Sequence, residues 1–116
     1  MASTSDVLNH HLQSFGAGDL DAIMADYTDD SVLFTPEGPL KGPDAIRGMF
    51  VGMFEEFGKP GMSFELLQQD VEGDCAYIVW KAETADNIYE VGTDTFVVQG
   101  GKIAYQSLCV KAVPKG

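Results

Sequence analysis

The chain has 116 residues, of which 45% are hydrophobic, and a formal net charge of −11. That length suits one domain spanning 1–116, and folding hides roughly 65% of the surface an unfolded chain of this size exposes. The acidic balance and the scatter of the seven Lys and Arg residues exclude nucleic acid and anionic membrane surfaces as expected partners.

A first helix is expected to begin near Ser5, with Ser3 and Asp6 forming a capping pattern. Val7, Leu8, His11, Leu12 and Phe15 fall on one helical face, and Gly16-Ala17-Gly18 stops the run. Asp19 reads as the N-cap of a second helix, whose stripe is Leu20, Ile23, Met24 and Tyr27 and whose end is Thr28-Asp29-Asp30. Val32 to Thr35 reads as a short strand closed by Pro36, and a loop follows to Gly42. Pro43 opens a third helix with the stripe Ile46, Met49, Phe50, Met53 and Phe54, ended by Gly58 and Pro60.

From Met62 the period changes from helical to alternating. Strands are expected over Met62 to Asp70, Cys75 to Thr84, Ile88 to Val98 and Ile103 to Val113. Turns at Glu72-Gly73-Asp74, Asp86-Asn87 and Gly100-Gly101 make consecutive strands antiparallel. Helices followed by long strands give an α+β domain. A twisted antiparallel sheet curls, and three helices on one face leave an apolar cavity between the layers.

Cys75 and Cys109 are expected to be buried free thiols. Met1 to Asp6 carry neither a basic nor an apolar leader segment, so the expected location is the cytoplasm. The cluster Asp26, Asp29 and Asp30 lacks the oxygen spacing and glycine of a calcium loop. No phosphate-binding loop or zinc motif is present in the sequence, so no cofactor or metal is expected.

Asp94 interrupts the apolar run Val91 to Val98, where a carboxylate is costly unless paired or protonated. It is the leading candidate for acid/base work. His11 lies on the apolar face of the first helix and is the candidate partner across the cavity, whereas His10 points elsewhere and is expected to be solvated. Trp80, Phe50, Phe54, Tyr27 and Thr35 are candidate ligand contacts, although core packing alone would account for the aromatic ones. Glu37 reads as a solvated loop charge.

The segments Gly18-Asp19-Leu20-Asp21-Ala22-Ile23, Tyr27-Thr28-Asp29-Asp30-Ser31-Val32, Gly42-Pro43-Asp44-Ala45-Ile46, Asp94-Thr95-Phe96 and Gly100-Gly101-Lys102-Ile103 occur in this order. In that respect the chain resembles the nuclear transport factor 2-like superfamily, in its SnoaL-like and ketosteroid-isomerase-like branch. The resemblance runs from about Val7 to Val110. It implies a cone-shaped curved sheet around three helices, a deep pocket for a small apolar molecule, and a homodimer packed through the outer sheet face. It does not fix the activity, because the fold carries isomerases, cyclases, dehydratases, epoxide hydrolases and non-enzymes.

Steroid isomerisation needs a carboxylate base and two hydrogen-bond donors, a Tyr and a protonated Asp. Under the resemblance Asp94 matches the donor Asp, His11 stands at the donor Tyr position, and Thr35 precedes Pro36 where the base would be. A threonine hydroxyl is no base near neutral pH, so that machinery is incomplete. Two expectations remain. One is a cofactor-independent acid/base enzyme using Asp94 and His11. The other is a non-catalytic domain that binds a hydrophobic ligand or dimerises with a partner.

Overall fold

The computed structural model describes residues 3–115. Helix α1 (Thr4–Ala17) starts on a full capping box: the Ser3 hydroxyl accepts from Asp6 N, and the Asp6 carboxylate accepts from Ser3 N. Gly18 ends it in the left-handed conformation, at φ 64°. Helix α2 (Leu20–Met24) is capped by Asp19 and is shorter than its apolar stripe predicts. Tyr27 belongs instead to strand β1 (Tyr27–Thr35). Backbone pairing of Asp26 O with Ile103 N and of Tyr27 with Ile103 draws the chain into the sheet there.

The expected loop after Pro36 contains a second strand, β2 (Gly38–Lys41), which pairs antiparallel with β1. Its Pro39 is tolerated because β2 is an edge strand. Helix α3 (Pro43–Phe57) buries Ile46, Phe50 and Phe57. Strands β3 (Ser63–Glu72), β4 (Cys75–Glu83), β5 (Asn87–Gln99) and β6 (Lys102–Pro114) follow as consecutive antiparallel neighbours.

The result is α+β: three helices on a curved, open sheet of order β2-β1-β6-β5-β4-β3. The sheet is not wholly antiparallel, because β1 runs parallel to β6. Register shifts on β3, β4, β5 and β6 mark bulges, and bulges bend strands and increase their twist. The core gathers on the concave side, with Leu8, Ile23, Leu33, Ile46, Phe50, Phe96 and Ile103 at 2% exposure or less.

Alternation places Ala76, Ile78, Trp80 and Ala82 of β4 inside and leaves Cys75 and Tyr77 outside. Both cysteines are free, and both are exposed rather than buried, because each takes the outward parity of its strand. His10 also departs from expectation. Its Nδ1 lies 2.8 and 2.9 Å from the two carboxylate oxygens of buried Asp26, tying α1 to the start of β1.

A buried carboxylate facing an unpartnered histidine

The space between helices and sheet holds a cavity of about 450 Å³ counting its open mouth. Its interior is narrow. On the helix side the walls are His11, Leu12 and Phe15 of α1 and Met49, Phe50, Met53 and Phe57 of α3. On the sheet side they are Phe64, Ile78, Trp80, Asp94, Gln106 and Leu108.

Asp94 is 6% exposed, and its hydrogen-bond donors among the described residues are side chains. Its Oδ1 accepts from Trp80 Nε1 at 2.8 Å, and its Oδ2 accepts from Gln106 Nε2 at 2.9 Å. The register explains both contacts. Trp80 faces Gly92 and Asp94 faces Leu108, so both donors stand diagonally across a strand pair from the carboxylate. Gly92 is required here: a Cβ on it would stand 2.3 Å from the Trp80 ring, so only glycine lets the indole lie over β5. Gln106 Oε1 in turn accepts from the Tyr27 hydroxyl, which sets the direction of the amide. Burial pushes the Asp94 carboxyl up to about 6, against the pull of the Trp80 and Gln106 bonds.

His11, at 5% exposure, sits edge-on to Phe96, Phe50 and Tyr27, with ring centroids 5.1, 5.9 and 6.2 Å away. Its Nδ1 is buried without a hydrogen-bond partner among the described residues. Burial, with a smaller contribution from nearby His10, lowers its pKa to about 4, so the ring is neutral at pH 7. His11 and Asp94 line the same cavity but are not hydrogen-bonded to each other among the described residues.

Of the other candidates, Trp80 and Phe50 line the cavity. Tyr27 lies behind it, acting through Gln106, and Phe54 packs on Phe15 and Phe50 without reaching it. Thr35 is not in the cavity. Its hydroxyl donates to Gly38 O across the β1–β2 turn, where Glu37 is exposed.

Gln106 is the residue that strand periodicity conceals. Ile103 points inward, so strict alternation would turn Tyr105 in and Gln106 out. A bulge between Ile103 and Tyr105 reverses the parity and buries Gln106 to 3%. Phe64 and Trp80, stacked with centroids 5.5 Å apart, close the β3 side. At the β4–β5 hairpin, Glu56 of α3 accepts from Thr84, Asn87 and Tyr89, fixing the helix end to the sheet. Among the described residues no group of three or more His, Cys, Asp or Glu is placed to hold a metal ion.

Three helices against the concave side of an open curved sheet, with a cavity between, define the nuclear transport factor 2-like class of folds. Residues 8–106 match the SnoaL-like domain, and the chain belongs to that family. No curated protein matches the sequence. Among solved structures, the chain is similar to the epoxide hydrolase/cyclase-like enzyme SalBIII of pyran ring formation in salinomycin. The TM-score is 0.79 at 16% identity, covering 93% of this chain and 90% of that one. A candidate polyketide cyclase from Sinorhizobium meliloti gives 0.74 at 21% identity, covering 89% and 93%. A candidate ketosteroid isomerase from Kribbella flavida gives 0.76 at 12% identity, covering 97% and 81%. At these identities the likeness concerns the fold.

Proposed function

We propose that this chain is a cofactor-independent acid/base enzyme acting on a small, mostly apolar molecule held in the cavity. The observation that carries the proposal is Asp94, a carboxylate buried in an apolar cleft whose pKa is pushed up to about 6. Near neutral pH such a group takes up and returns a proton readily. Trp80 and Gln106 hold it in one orientation, so a reacting C–H or O–H would meet a fixed oxygen. His11, neutral and with an unspent ring nitrogen, is the second proton site on the opposite wall. The pair suits isomerisation, cyclisation, dehydration or hydrolytic ring opening, and the fold is shared with a candidate polyketide cyclase, a candidate ketosteroid isomerase and an epoxide hydrolase/cyclase-like enzyme. Asp94→Asn should abolish turnover of any substrate found while leaving the fold intact; undiminished turnover would exclude the mechanism.

A second reading, a non-catalytic binder of a hydrophobic ligand, is favoured by one observation. Thr35 is tied into a turn away from the cavity, so the carboxylate base of the isomerase pattern has no counterpart there. Tight binding of an apolar ligand without turnover would select it.

Homodimerisation through the convex sheet face belongs to the same proposal. Phe34, Tyr77 and Tyr105 are exposed at 48, 37 and 48%, an apolar surface suited to a second copy. Sedimentation at micromolar concentration should give twice the monomer mass. The exposed free thiols Cys75 and Cys109 support a reducing, cytoplasmic setting. Among the described residues no helix is long and apolar enough to cross a membrane.

A further inference from the structure

Asp94 has no counter-charge among the described residues. Its two hydrogen-bond donors, the Trp80 indole and the Gln106 amide, are both neutral. Among the described residues no Lys or Arg lines the cavity. Arg47, Lys59, Lys81, Lys111 and Lys115 form ion pairs with other carboxylates, Lys102 bonds Ala25 O, and Lys41 is exposed at the end of β2. His11, the remaining basic group on the walls, is kept neutral by its burial. Buried carboxylates are ordinarily matched by a cation or a metal.

The rest of the wall has the complementary character. Phe15, Phe50, Phe57, Phe64 and Trp80 all line the cavity. Aromatic faces carry negative charge density and attract cations, most strongly where water is excluded. The remaining polar capacity is mainly accepting. Each Asp94 oxygen retains a free lone pair, and the unpartnered Nδ1 of His11 accepts in the tautomer that leaves it unprotonated. An anionic ligand would face Asp94 and the field of a −11 chain. A neutral alcohol would donate one hydrogen bond and leave the charge uncompensated.

We propose that the cavity takes a small amine bound as its ammonium ion, with the charge against Asp94 and an apolar body among the aromatic rings. This rests on the reading that the cavity holds a small molecule, and it names the class. The narrow interior favours a small body, and Met49 and Met53, which are unbranched and only half-buried, can adapt to it.

The chain has a single Trp, so the Trp80 indole N–H signal in a nitrogen–proton NMR spectrum reports directly on Asp94. Benzylamine, benzyl alcohol and benzoate are isosteric probes of three charges, to be titrated separately near neutral pH and at moderate salt. Benzylamine should shift the Trp80 signal saturably, at least about ten-fold more tightly than benzyl alcohol, with no response to benzoate. Asp94→Asn should bring the amine down to the alcohol's affinity. Equal or tighter binding of benzyl alcohol or benzoate to the wild type would overturn the amine assignment and leave the ligand-binding reading standing. A Trp80 signal unmoved by all three would overturn both. Should the Asn variant fold poorly, the wild-type ranking decides alone.

Discussion

The two walls of the cavity each bury a titratable group, in opposite ways. On the helix wall His11 is packed among three aromatic rings and makes no hydrogen bond through Nδ1 among the described residues. On the sheet wall Asp94 is the centre of a chain running Trp80, Asp94, Gln106, Tyr27. The difference follows from what each group becomes when dry. An imidazole that loses its proton is a neutral ring and tolerates aromatic neighbours. A carboxylate that keeps its charge must have donors, and the sheet supplies two.

The same contrast sets the pH dependence of stability. Asp94 is raised from 3.8 to about 6, so its contribution is present below pH 3.8 and lost as pH rises through 6. His11 is lowered from 6.5 to about 4, so its contribution is present above pH 6.5 and lost as pH falls through 4. Each shift corresponds to no more than about 3–3.5 kcal/mol. The two windows overlap with opposite signs, so in the wild type they largely cancel between pH 4 and 6, and single substitutions should separate them.

The largest break is Trp80→Ala. It empties the sheet wall over Gly92 and removes one of Asp94's two donors, and should cost about 3–5 kcal/mol in urea unfolding. Next is His11→Leu, which should leave stability near pH 7 little changed and raise it by about 3 kcal/mol relative to wild type at pH 4. The expected signature is a stability that rises as pH falls from 6 to 4, because the Asp94 contribution is no longer offset. Asp94→Asn should act at the other end, stabilising the fold by about 2–3 kcal/mol at pH 8 and by much less at pH 4. The Asn fits if the Gln106 amide turns over, because the Tyr27 hydroxyl can accept as well as donate. Loss of stability at pH 8 would show that the two donors outweigh desolvation.

The smallest effect lies outside both walls. Partial burial would raise the pKa of Glu56, but hydrogen bonds from Thr84, Asn87 and Tyr89 outweigh it and the net shift is downward. Glu56→Ala should therefore cost about 1.5–3 kcal/mol near neutral pH, with an increment that fades in acid as the wild-type carboxylate protonates. Hydrogen exchange at the β4–β5 hairpin would localise the loss.

Much of this was legible residue by residue. The stripe Ile46, Met49, Phe50, Met53 predicted α3, and Asp94 within an apolar run marked the buried acid. His11 lay on the inward face of α1, as its spacing required. The failures have local causes. Tyr27 stood at helical spacing from Leu20, yet long-range pairing with Ile103 placed it in β1. Phe54 shared the α3 stripe but faced Phe15 rather than the cavity. Thr35 came through the resemblance to a family with a carboxylate at that place, whereas its hydroxyl here closes a turn.

Sequence alone determined the α+β order, the hairpin turns and which wall each titratable group occupies. Those follow from period, turn chemistry and the cost of an acid in an apolar strand, all properties of neighbours in the chain. Only the tertiary structure decided the partners of Asp94, the parallel seating of β1 on β6, and the inward turn of Gln106. A single bulged residue reverses the parity of everything beyond it, and that residue shows itself only in the register of β6 against β5 in the folded sheet.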